Sequence, residues 1–267
     1  MTTAIMEEEQ LTETTEFERL RNATFNMEDV LSGLASNHIE ISLLSRAHSD
    51  DKINAITSDS DRNTNDIFNP RAIQSYIREC LKHGEISNHI DGRPEIIVVA
   101  GVDTLLPGSP DRAKPSRAAF QSPSVVTITC KANIDEFCIA HTDSYIFANG
   151  QFDITGAFAG KATQERFEAL SRIEQQARQL IRDLDDKTTV RDLNNQVLSV
   201  IQESGLESLT QTPVVAPELN GNKFSIATER ADILSIFCLD LHVTGPARKA
   251  ALRTQRVALH NAKQKGA

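Results

Sequence analysis

Apolar positions follow two rhythms along the chain. Val30, Leu31, Leu34, Ile41 and Leu44 recur at helical intervals after Asn26, which stands three residues before Asp29 as in a capping box, and predict a helix near residues 27–46 that is interrupted near Gly33. A clearer helix is predicted over 70–83. Asn69 is a capping residue, Pro70 suits the first helical position, Gly84 can end the helix, and Ile73, Ile77, Cys80 and Leu81 make its apolar stripe. Further on, Leu170, Ile173, Ala177, Leu180 and Leu184 are spaced by threes and fours, and Val190, Leu193, Val197 and Val200 repeat the pattern. These predict a helical hairpin, near 162–186 and 189–204, too short to stand alone as a coiled coil and so packed on something.

Between these helices the period changes. Short β-branched runs from residue 95 to 158, among them "SVVTITCKA", "EFCIAHT", "SYIFA" and "QFDIT", with Asn149-Gly150 as a tight hairpin turn, predict an antiparallel meander. Residues 222–243 add another strand pair, in which "DILSIFCLDLHV" reads as a central strand buried on both faces. The expected fold is therefore α+β: a mainly antiparallel sheet covered by helices, with a helical hairpin and charged terminal arms. The predicted organisation is an acidic flexible arm at 1–14, one domain over 15–245 with a Pro-rich loop at 103–123, and a basic arm or helix at 246–267.

Composition narrows the class. Aromatics make up 5% and Trp is missing, so the core must be chiefly aliphatic. No apolar run approaches the roughly 20 residues needed to cross a bilayer, and the acidic start does not resemble a signal peptide, which predicts a cytoplasmic protein without a membrane partner. The four cysteines (Cys80, Cys130, Cys138, Cys238) form no CxxC pair and sit in apolar segments, so buried reduced thiols are expected. The net charge is -9, but Arg248, Lys249, Arg253, Arg256, Lys263 and Lys265 stand after residue 245 with no acid among them, leaving -15 on the first 245 residues. Glu7, Glu8 and Glu9 begin a Glu-rich head, so the two ends are oppositely charged.

The tail carries the most regular pattern. On a helix, Lys249, Arg253, Arg256, His260 and Lys263 would share one face at 4,3,4,3 spacing, with alanines behind them. Such a stripe suits an acidic protein surface, for instance the Glu7-Glu8-Glu9 head of another copy. Nucleic acid is a further reading, although no aromatic stacking platform accompanies the stripe.

Candidate chemistry is sparse. "GAFAGKAT" places Gly160 and Lys161 between a strand and a helix, as a phosphate-binding loop would, but Gly156 is one residue too close and Ala162 replaces the magnesium-binding hydroxyl. His242-Val243-Thr244 has a His-x-Thr form that resembles one half of the two-histidine phosphoesterase signature; the other half is unmatched, since His141 is followed by Asp143. The histidines lie without a third ligand to complete a metal site, and no GxSxG elbow is present. The sequence thus predicts no metal, cofactor or catalytic residue. It points to a non-enzymatic structural or assembly protein, such as a virion component, that self-associates through its arms and helical hairpin. A phosphate-acting enzyme using Gly160-Lys161 or His242, and a nucleic-acid binder using the tail, are the alternatives.

Overall fold

In the computed structural model the described residues are 27–31, 68–83, 91–106, 118–134, 137–185, 187–210, 214–219, 222–223 and 236–259. Glu7, Glu8, Glu9, His260 and Lys263 lie outside them, as do most of the helix expected over 27–46 and of the Pro-rich loop. Residues 27–31 are helical. The described helices are α1 (Pro70–His83), α2 (Lys161–Arg182) and α3 (Val190–Glu203). The strands are β1 (Asp91–Ala100), β2 (Ser124–Ile134), β3 (Phe137–Ala148), β4 (Gln151–Asp153), β5 (Glu207–Ser208), β6 (Val215–Leu219), β7 (Asn222–Lys223), β8 (Ile236–Thr244) and β9 (Ala251–Leu259). The fold is α+β, with the strands paired antiparallel in the order β1-β2-β3-β9-β8-β6-β7, β4 beside β3 and β5 beside β8.

Local chemistry explains most of these elements. Asn69 Oδ1 accepts from the Ala72 amide at 3.0 Å and so opens α1. Asn149 and Gly150, with φ of 52° and 77°, make the two-residue turn that joins β3 to β4. Thr189 and Asp192 form a reciprocal capping box at the start of α3. Asn194, inside α3, donates to the Val215 carbonyl at 2.6 Å and accepts from the Val215 amide at 2.9 Å, which pins β6 to the helical hairpin.

Two cores result. Ile173, Ala177, Ile181, Leu193 and Val197 of the α2–α3 hairpin bury Phe237, Leu239, Leu241 and Val243 of β8 and Leu252 of β9. Ile73, Ile77 and Leu81 of α1, with Met27 and Leu31, cover Ile96, Val126, Ile128, Tyr145 and Phe147 of β1–β3. The Tyr145 phenol donates to the Leu31 carbonyl at 2.7 Å, and Phe68, Phe120, Phe147 and Phe152 interlock with ring centroids 5.2–6.1 Å apart.

The sequence reading needs three corrections. Residues 251–259, expected within a basic helix, form strand β9 in the middle of the sheet, between β3 and β8. The runs "EFCIAHT" and "SYIFA" belong to one strand, β3. Of the cysteines, Cys130 and Cys238 are buried, whereas Cys138 is exposed and Cys80 half-buried. Cys130 pairs in register with His141. Burial pushes the Cys130 thiol up to about 12, so it is inert as a nucleophile at neutral pH.

Candidate functional site

Side chains alternate along each strand, and this alternation builds a polar face. Because Leu239, Leu241 and Val243 turn to the helical hairpin, Cys238, Asp240 and His242 project from the other side of β8. Because Val126 and Ile128 turn to α1, Thr127 and Thr129 likewise project away from it. Thr142 and Ser144 of β3 meet them, with Thr129 Oγ1 and Thr142 Oγ1 2.9 Å apart and Thr127 Oγ1 and Ser144 Oγ 3.0 Å apart. At the junction of β3 and β9 the Thr142 hydroxyl donates to Gln255 Oε1 at 3.3 Å, and Gln255 Nε2 donates to Cys238 Sγ at 3.4 Å. Ser144 Oγ accepts from the Arg253 amide at 2.7 Å and donates to the Arg253 carbonyl at 3.0 Å. A continuous chain of hydroxyl, amide and thiol groups thus spans the sheet where its two halves meet.

The charged members of this face are paired. Arg253 donates from Nε at 2.9 Å and from Nη2 at 2.7 Å to the two carboxylate oxygens of Asp240. Burial would lower the Arg253 pKa, but the Asp240 hydrogen bonds and charge outweigh it and raise it, so Arg253 is a permanent cation. His242 Nε2 lies 2.7 Å from the Thr104 carbonyl oxygen, which can only accept; Nε2 therefore carries the proton and Nδ1 the lone pair. Burial holds the His242 pKa below its ordinary value against the pull of that carbonyl, so the imidazole is neutral near pH 7.

A second polar network lies where the two cores adjoin. Arg256 donates to the Thr142 carbonyl at 2.6 Å and to the Asp143 carboxylate, while its Nε sits 3.4 Å from Glu174 Oε1 on α2. Thr254 donates to Glu174 Oε2 at 2.9 Å, and His141 Nε2 lies 3.0 Å from Asp143 Oδ2. Burial would raise the Asp143 pKa, but the His141 hydrogen bond and the Arg256 charge outweigh it and hold it low. This network ties β3, β9 and the helical hairpin together.

The residues singled out in the sequence scatter over these features. Arg253 and Arg256 fall in different networks, and Lys249 sits in the turn between β8 and β9, so no basic stripe exists among the described residues. His141 shares its side of β3 with Ile139 and Tyr145 of the α1 core, whereas His242 belongs to the polar face. The two histidines therefore do not form the pair that a two-histidine phosphoesterase needs. In the Gly-Lys loop the Asp153 carboxylate accepts from the Thr155 amide at 2.8 Å, the Thr155 hydroxyl at 2.6 Å and the Phe158 amide at 3.0 Å. Those amides face a carboxylate of the chain itself where a phosphate loop would present them to a ligand. Gly156 is forced by contact, since a Cβ there would come within 2.6 Å of the Phe167 ring. Lys161 opens α2 and is exposed, 3.9 Å from Glu165. Among the described residues no three His, Cys, Asp or Glu side chains converge to hold a metal ion, and no helix is long and apolar enough to cross a membrane.

Solved structures of known proteins share this architecture. A dipeptidase from Mycobacterium ulcerans superposes with a TM-score of 0.53 at 12% identity, over 86% of this chain and 57% of that one. The prolidase from Pyrococcus horikoshii OT3 gives 0.52 at 12% identity, over 86% and 61%. The Xaa-Pro dipeptidase from Bacillus anthracis gives 0.51 at 12%, over 73% and 51%. The chain shares its fold with peptidases. It spans only about half to three fifths of the length of each. No family model and no curated protein sequence matches it.

The shared fold overturns the expectation of a non-enzymatic assembly or virion protein, and with it the lean away from an enzyme. The proteins that share the architecture are enzymes acting on peptides. Of the residues whose pattern suggested docking through a basic helix, and nucleic-acid binding as the alternative, Arg253 and Arg256 stand in strand β9 and Lys249 in the turn before it, while His260 and Lys263 lie outside the described residues.

Proposed function

We propose that the chain is a peptidase acting on short peptides, with its substrate held on the polar face of β2, β3, β8 and β9. The observation that carries this reading is the match to a dipeptidase over 86% of the chain. The chemistry of the face supports it. Arg253, steadied by Asp240, offers a guanidinium suited to a peptide carboxylate. Neutral His242, protonated at Nε2, keeps its lone pair on Nδ1, the form of imidazole that general-base chemistry requires.

The test is a panel of dipeptides, with Xaa-Pro dipeptides included, incubated with the protein with and without added divalent cations and read by mass spectrometry. Cleavage is expected for at least one member, and Arg253→Met should lower kcat/KM by about 10- to 100-fold, mainly through KM. If no dipeptide is cleaved under either condition, the peptidase reading is wrong.

A further inference from the structure

Beyond the polar face, a cavity of ≈ 370 Å³ opens between the last turns of α1 and the start of β1, lined by Arg78, Glu79, Lys82, Gly92 and Arg93 among others. Its volume falls in the range of small-molecule pockets. We propose that this pocket binds a dianionic phosphate group, as inorganic phosphate or as a small phosphate monoester.

Four observations converge on it. Arg78 and Lys82 stand four residues apart on α1 and so share one face of the helix, an arrangement that repels itself unless something negative lies between. The register of β1 slips between Asp91 and Glu95, and Gly92 there adopts φ 80°; this irregularity takes Arg93 out of the regular ladder, and it lines the same cavity. The Arg93 charge acts on Arg78 and, after burial, is the second cause that lowers the Arg78 pKa. Arg78 Nε is also buried without a hydrogen-bond partner, a donor left unsatisfied in the protein alone.

The charge count selects the ligand. Among the described lining residues Arg78, Lys82 and Arg93 stand against one carboxylate, Glu79, a net +2. That balances a phosphate dianion, whereas a lone carboxylate would leave it half compensated.

Isothermal titration of the full chain at fixed ionic strength, with inorganic phosphate, phenyl phosphate and acetate as probes, tests the proposal. Saturable binding of one or both phosphate probes is expected, with acetate at least about tenfold weaker. Arg93→Gln, at an exposed position, should weaken phosphate at least about tenfold, and Lys161→Gln, a remote exposed cation, should leave it unchanged. A stronger response to phenyl phosphate than to inorganic phosphate would assign the site to monoesters, and the reverse to the free ion. Absence of saturable binding for both phosphates, or equal weakening by the two variants, would overturn the site. Either result leaves the peptidase reading untouched, because the dipeptide assay addresses the other face of the sheet.

Discussion

His242 shows how one buried imidazole links chemistry to stability. In the unfolded chain it titrates near 6.5, and in the fold burial lowers that value despite the Thr104 carbonyl. Protonation therefore favours the unfolded chain. The contribution of neutral His242 is complete above the unfolded pKa and is lost as pH falls through the folded one. Urea midpoints measured from about pH 7 to about pH 5 should fall, and His242→Gln should remove part of that fall. Identical pH profiles for the two proteins would show that His242 does not titrate as described. At the same scale, Arg253 and Arg256 show why a residue type is a poor guide to role. Both are arginines in one strand three positions apart, yet one joins Asp240 on the polar face and the other joins Asp143 and Glu174 between the cores.

Among the elements, the helices were legible because their signals are local. The 3,4 spacing of α2 and α3, the capping residue Asn69 and the Asn149-Gly150 turn each act within a few residues, and each has its expected structure. Thr189→Ala removes the acceptor for the Asp192 amide at the start of α3 and should cost about 1 kcal/mol. Chemical denaturation would show it as a lower midpoint with an unchanged slope, whereas an unchanged midpoint would mean that α3 is set by packing alone. Strand β9 was misread for the opposite reason. Its Arg and Ala residues fit a helical stripe, but each face of the strand carries a buried polar group, Thr254 and Arg256 on one side and Gln255 on the other, so alternation leaves no clean apolar signal. What makes those positions tolerable is a partner far away in sequence, such as Glu174 or Thr142. The polar face was invisible for the same reason: Thr142 and Gln255 mean nothing until the chain brings together positions 113 residues apart.

For the whole molecule, β9 is the joint between two half-sheets, β1–β3 with its α1 core and β6–β8 with the helical hairpin. A chain ending at Gly245 would lose the central strand, expose the edges of β3 and β8, leave Asp143 and Asp240 without their arginines, and leave Glu174 with Arg178 alone. Its far-ultraviolet dichroism and thermal melt should show no cooperative transition. A truncated protein that melts cooperatively near the temperature of the full chain would mean that the halves fold separately.

The central place of β9 also sets an order of events during synthesis. β3 must wait for a neighbour made roughly a hundred residues later, and β8 waits as well, so both edges are open to mispairing until residues 251–259 have left the ribosome. A nascent chain of this design depends on timing: slow translation through β9 would lengthen the interval in which another copy, or a chaperone, can occupy that gap.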